Sequence, residues 1–193
     1  MKKRIAFIGA MLSVIPLGQP LIFKTGFVLS TTGLMLSVSQ KVKADSVDFY
    51  FDRGLERGNS GDYYGAIADF TKVIEINPYE PKAFYNRGWN KGKLKDYNGE
   101  ISDYTKAIEI NPKYVKAYYN RGNAKSDMKD YYGAIADFTK AIEINPQYLD
   151  AYVNRSIAKE NIGDINGACS DAKRAVYLGD NDPENTEWIY ENC

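Results

Sequence analysis

The chain has 193 residues, 44% hydrophobic and 26% charged, which is enough apolar material for a folded core. Six of its 25 basic residues fall within residues 1–44, which hold no acid, leaving 19 bases against 25 acids, a net charge of −6, in 45–193. That balance disfavours nucleic acid, since phosphate neutralisation needs clustered Lys and Arg. The absence of histidine removes the usual general base, the usual Ser or Cys activator and the commonest metal ligand.

Residues 1–44 open with Lys2, Lys3 and Arg4 and then run apolar, with Lys24 the only charge between Ile5 and Gln40. Two readings fit. One is a secretory signal peptide with its apolar core at Phe27–Val38, cleaved after Val42-Lys43-Ala44. The other is a transmembrane anchor over Ile5–Phe23, just long enough for about 30 Å of hydrocarbon, with the cationic start in the cytoplasm. A hairpin of Ile5–Phe23 with Gly26–Val38, which would return the rest to the cytoplasm, ranks last because its second arm is short. An ordinary buried helix fits poorly with the basic flank and the lack of acids. Residues 1–44 are thus expected to make the protein exported (periplasm or another extracytoplasmic compartment) or membrane-anchored.

From Val47 the chain repeats itself. "DYYGAIADFTKVIEINP" at 62–78 returns at 130–146 with one change, and a looser version occupies 96–112. Pro78, Pro112 and Pro146 are 34 residues apart, which lays out units at 47–80, 81–114, 115–148 and 149–182. Each unit reads as two helices. In the third, Tyr131, Ile135, Phe138 and Ile142 recur at four, three and four, which makes one apolar stripe. Asp62, Asp96, Asp130 and Asp164 are placed to cap the second helices. Asn145 and Pro146 are expected to end one, Asn by tolerating a left-handed residue and Pro by being unable to continue. Asp69, Lys72 and Glu75 read as a solvated face. One hairpin cannot bury its own apolar side, so the units must stack.

These residues resemble the tetratricopeptide repeat family, whose 34-residue pattern asks for an aromatic, Leu-Gly, Tyr, then Ala, an aromatic and Pro. The third unit supplies Tyr118, Gly122, Ala134, Phe138, Ala141 and Pro146; the first supplies Tyr50, Gly54, Ala66, Phe70 and Pro78. The second has Phe84, Gly88, Tyr104, Ala107 and Pro112 but puts Glu100 where Ala belongs. The fourth keeps Tyr152, Ala168 and Ala175, with Ser156 for Gly and Ala172 for the aromatic. All four put Arg (Arg53, Arg87, Arg121, Arg155) where the family usually has Leu. The resemblance implies an all-α fold: a right-handed superhelical solenoid of four helix-turn-helix repeats over 47–182. A C-terminal capping helix over 183–193 follows, with Asp182 as its cap and Pro183 at its first position.

The resemblance also implies a non-enzymatic scaffold that binds a peptide or partner protein in the groove lined by the first helices. Such a scaffold would serve as an assembly factor or adaptor at a membrane; the rival reading is a self-associating structural repeat protein. In superhelical members an asparagine ladder hydrogen-bonds the bound peptide, since an amide donates and accepts at once. Asn86, Asn120 and Asn154 match that ladder, and Asp52 breaks it. Around it lie Tyr85, Tyr119, Trp89 and Asn123, with Lys82 and Lys116 one turn earlier, a set that suits an acidic or apolar peptide. The competing reading makes the asparagines and tyrosines ties between neighbouring units, and Trp89 the stronger groove candidate. Some relatives clamp a chaperone's C-terminal carboxylate with two Lys, two Asn and an Arg. Here Asn86 and Lys116 match, but Phe51, Leu55 and Asn120 stand at the other three places, so that clamp is not expected.

Cys169 and Cys193 are the two cysteines, and a bridge between them would tie the cap to the stack, by about 3 kcal/mol. Export would permit it; two free thiols are the alternative. "DNDPENTEWIYE" at 180–191 spaces its acids like a calcium loop but lacks the turn glycine and holds Pro183, so helix capping explains it better. No phosphate loop or metal-ligand spacing occurs, and no cofactor is expected.

Overall fold

Aspartate side chains set the helix starts. Asp62, Asp96, Asp130 and Asp164 accept the backbone N–H of Gly65, Gly99, Gly133 and Gly167 at 2.9–3.0 Å, each satisfying a donor the first turn leaves open. The recurring glycine follows from that geometry. A Cβ at Gly133 would overlap the Asp130 carboxylate.

The computed structural model describes residues 46–193. Among them are nine helices: α1 (46–59), α2 (Tyr63–Ile76), α3 (Pro81–Lys93), α4 (Tyr97–Ile110), α5 (Val115–Asp127), α6 (Tyr131–Ile144), α7 (Leu149–Asn161), α8 (Ile165–Tyr177) and α9 (Pro183–Asn192). They pair as four hairpins, each packed on the next, and the whole is an all-α right-handed superhelical solenoid closed by α9. Asp182 caps α9 through the Glu184 N–H, with Pro183 in the first turn. The segment expected to carry a signal or anchor lies outside the described residues. Among the described residues no helix is long and apolar enough to cross a membrane.

The helix ends differ from expectation. Asn77, Asn111 and Asn145 are extended, with φ near −130°, not left-handed. Their side chains act instead: each Oδ1 accepts the N–H two residues on, from Tyr79, Lys113 and Gln147, and so folds the chain over the intervening proline. Positive φ falls in the turn inside each hairpin, at Gly61, Lys95, Lys129 and Gly163. Residues are also 34 apart there, and two of the four are lysines in a conformation that glycine adopts at less cost.

The apolar stripe of each second helix forms the core. In α6, Phe138 and Ile142 are buried, the first with Tyr131 and Ile135 packed against it and the second with Val115 and Tyr118. The crossing of α5 and α6 is close: a Cβ on Gly122 would come within 2.6 Å of the Phe138 ring. The fourth unit solves the same crossing with Ser156 and Ala172. The Ser156 hydroxyl donates to the Ala168 carbonyl at 3.0 Å, and the volume of the missing ring becomes a depression of about 200 Å³ reaching Trp188.

Asp69 corrects a second expectation. It is 2% exposed, not part of a solvated face, whereas Lys72 and Glu75 pair on the outside at 2.7 Å. The four arginines that replace the family's leucine account for its burial. Arg53, Arg87, Arg121 and Arg155 grip Asp69, Asp103, Asp137 and Asp171 through two bonds each, at 2.6–2.9 Å. A second cation, from Arg57, Lys91, Lys125 or Lys159, reaches the same carboxylate at 2.7–2.9 Å. Arg87, Arg121 and Arg155 also donate to Thr71, Thr105 and Thr139 of the preceding unit, so the clusters tie hairpins to one another. The Arg53 bonds hold the Asp69 carboxyl below its ordinary value, although burial opposes them.

Cys169 and Cys193 are joined, with Cα atoms 5.7 Å apart and a sequence separation of 24. Helix α9 buries no residue fully and touches α8 and, through the Trp188 indole N–H, Glu160 of α7. The bridge therefore contributes much of what holds it. Cys193→Ser is expected to cost the C-terminal unit about 2–3 kcal/mol. Hydrogen exchange should show α9 losing protection while α3–α6 keep theirs.

Candidate functional site

The first helices touch in series, α3 with α5 and α5 with α7, whereas the second helices make no such contacts among themselves. The first helices therefore line the inner side of the curve. Three depressions follow one another along it. One of about 140 Å³ lies against Tyr85, Asn86, Trp89 and Asn90. The next, of about 340 Å³, lies between α3, α4 and α5 against Trp89, Glu100, Tyr104 and Asn120. The third, of about 360 Å³, is bordered by Asn123, Asp127, Asn154 and Ile157. Trp89 borders the first two, and Asn123 and Asp127 border the last two, so they form a continuous row.

The asparagines behave unequally. Asn120 donates to the Tyr85 hydroxyl at 2.8 Å, and Asn154 donates to Tyr119 at 3.0 Å and to Asn123 Oδ1 at 2.8 Å. Their amide nitrogens thus join neighbouring first helices. Asn86 has no such partner, because Phe51 occupies the place of those tyrosines one unit earlier, and it donates to its own helix at the Lys82 carbonyl. Tyr85 and Tyr119 lie 5.1 Å from the Tyr114 ring and 5.0 Å from Tyr148, the residues that precede the next first helix, and burial raises both phenols. Trp89 is half-exposed, with the Lys93 ammonium 4.8 Å from its ring centre and Tyr63 edge-on at 6.2 Å. Lys82 and Lys116 are exposed and line none of the three depressions.

Glu100 is a feature that the repeat pattern marked as a departure without giving it a role. It is half-buried in the middle depression, and burial, the largest cause, pushes its carboxyl up to about 7. The neighbouring Tyr104 hydroxyl opposes the rise, Asp127 and Asp96 add to it, and Lys93 opposes it more weakly. Gly92 makes room for it, since a Cβ there would lie 2.5 Å from Glu100 Oε2, and Tyr104 adds a hydroxyl where Phe70 and Phe138 stand in units one and three. The Tyr104 hydroxyl is fully buried beside Glu100 and Asn120, yet it makes no hydrogen bond of ordinary geometry. The Oδ1 of Asn90, also buried, is likewise unpartnered and borders the first depression. Among the described residues no group of His, Cys, Asp and Glu side chains could hold a metal ion.

An array of stacked 34-residue hairpins with a row of depressions along its first helices defines a class of helical-repeat scaffold. Tetratricopeptide repeat models match residues 47–80, 81–114 and 115–148, together more than half of the chain, and the protein belongs to the tetratricopeptide repeat family. The fourth unit lies outside those matches but forms the same hairpin, α7–α8. Among solved structures, MamA residues 41 to the end from Desulfovibrio magneticus RS-1 is similar at a TM-score of 0.71 and 17% identity, over 75% of this chain and 82% of that one. Another MamA crystal structure gives 0.67 and 21%, over 86% of this chain and 99% of that one. The first repeat domain of Spaghetti (RPAP3), solved bound to the HSP90 peptide SRMEEVD, gives 0.60 and 25%, over 62% and 94%. No curated protein matches by sequence. Tetratricopeptide arrays are in general protein-interaction folds and not enzymes.

Proposed function

We propose that this protein holds an extended segment of a partner protein along the inner side of its array. On this reading residues 1–44 export it or anchor it at a membrane, where it serves as an adaptor or assembly factor. The observation that carries the reading is the continuous row of three depressions across the four units, each bordered by amide side chains and two of them by Trp89. Extended peptides suit such a row, because backbone groups meet amides at a fixed repeat while side chains enter the depressions. The similar RPAP3 domain, solved with a peptide, supports the same use of the fold. A disulfide at the C-terminus suits an oxidising compartment.

Asn86 and Trp89 are the residues to change, since neither amide nor ring ties one unit to the next by a hydrogen bond. Photo-cross-linking with the full chain is expected to capture a defined set of partners. Asn86→Ala with Trp89→Ala should reduce that capture about tenfold or more while thermal unfolding stays within about 3 °C. A captured set unchanged by the double substitution, or a mass in light scattering that grows with concentration in its place, would overturn the reading in favour of self-association.

A further inference from the structure

The middle depression differs from its neighbours in two ways, Glu100 for alanine and Tyr104 for phenylalanine, and Gly92, like Gly58 one unit earlier, leaves the opposite side open. A carboxylate at a core position is costly unless something meets it. The four buried aspartates show how this fold ordinarily meets one, with two cations each. Glu100 has no ion pair at all. Lys93, the nearest cation to act on it, places its ammonium over the Trp89 ring, and Lys95 is exposed at the rim.

What faces Glu100 is mostly acceptor. Asp127 comes from α5 and Asp96 caps α4. Asn120 commits one N–H to Tyr85 and keeps a carbonyl oxygen. Tyr104 adds a buried hydroxyl that lies beside Glu100 without a hydrogen bond of ordinary geometry, and Tyr97 and Tyr85 are the remaining titratable groups nearby. The missing element is a multi-donor cation. We infer that the depression between α3, α4 and α5 receives one basic side chain, ammonium or guanidinium, of the partner segment, with Glu100 as counter-ion and Tyr104 and Asn120 as its polar neighbours. Lys93 and Trp89 then form the lip, where the stem of that side chain lies against the indole.

This assignment rests on the groove reading above and deepens it. It also carries a pH sign. With its carboxyl near 7 in the empty groove, Glu100 is neutral below that value and charged above it, so a basic side chain binds more tightly as pH rises through 7. Glu100→Ala restores the residue that Ala66 and Ala134 place at this position, so the variant is expected to keep its helical circular dichroism.

The test is a positional-scanning array of peptides about ten residues long, each position stepped through Lys, Arg, Glu and norleucine, probed with the full chain and with Glu100→Ala. One position should prefer Lys or Arg over norleucine by about tenfold, more at pH 8 than at pH 6, and Glu100→Ala should erase both the preference and its pH dependence. Peptide capture with no basic preference, with a preference for Glu, or with a basic preference that survives Glu100→Ala, overturns the assignment and leaves the groove reading standing. Capture of no peptide at all overturns both.

Discussion

Asp137→Ala is expected to destabilise the array by about 3–5 kcal/mol, as read from urea unfolding followed by circular dichroism. The carboxylate is 3% exposed and holds Arg121 through two bonds and Lys125 through a third. Removing it strands two cations that are themselves largely covered, and the penalty is their desolvation more than the lost attraction. Asp137→Asn, which keeps an acceptor, should cost less. Replacing Arg121, Lys125 and Asp137 together by Leu, Met and Leu should recover most of the loss, because apolar packing can stand in for a whole buried ion cluster but not for half of one. The same logic gives an acid limb. Asp69 has its pKa lowered by Arg53 from an ordinary 3.8, so its contribution is complete above that value and disappears as pH falls through the depressed one. Stability should therefore hold down to about pH 4 and drop below it.

Phe138→Ala is expected to cost a similar amount, about 3–5 kcal/mol, by a different route. The ring is fully buried and fills the crossing of α5 and α6 directly above Gly122. Neither helix can close the gap, since each is also pinned by the Arg121–Asp137 cluster. Gly122→Ala should cost about 1–3 kcal/mol by forcing the ring aside. The two changes together should cost less than their sum, because the new methyl occupies part of the space the ring leaves. An array of this kind transmits damage only to its neighbours. Hydrogen exchange should accordingly show α5 and α6 opening first in Phe138→Ala, with α3 and α4 following and α1 last.

The sequence and the structure agree wherever a residue acts within about one helical turn or meets an identical neighbour. Asp130 caps α6 as its spacing to Gly133 requires, and Asp182 with Pro183 starts α9. Asn145 ends α6 as expected but not in the left-handed conformation, because its side chain satisfies the Gln147 N–H from extended backbone and makes a left-handed residue unnecessary. Partnerships across two helices were harder to see. The four arginines stood out against the family's leucine, but their aspartates lie 16 residues on and looked like surface. That Arg–Asp spacing recurs in all four units and was the signal available. Glu100 likewise stands out singly in the sequence, and only the packing of α3 against α4 shows that Gly92 and Tyr104 lie against it.

Repetition at 34 residues was thus sufficient by itself to specify hairpins, their number and their stacking, since identical surfaces have one consistent way to bury their apolar stripes. It could not say which polar residues spend their hydrogen bonds inside the array. Asn120 and Asn154 carry the same residue type as Asn86, yet the first two bond to tyrosines one unit back while Asn86 meets Phe51 and has none. That difference depends on atoms about 35 residues apart arriving within 3 Å of each other, and only the folded stack decides it.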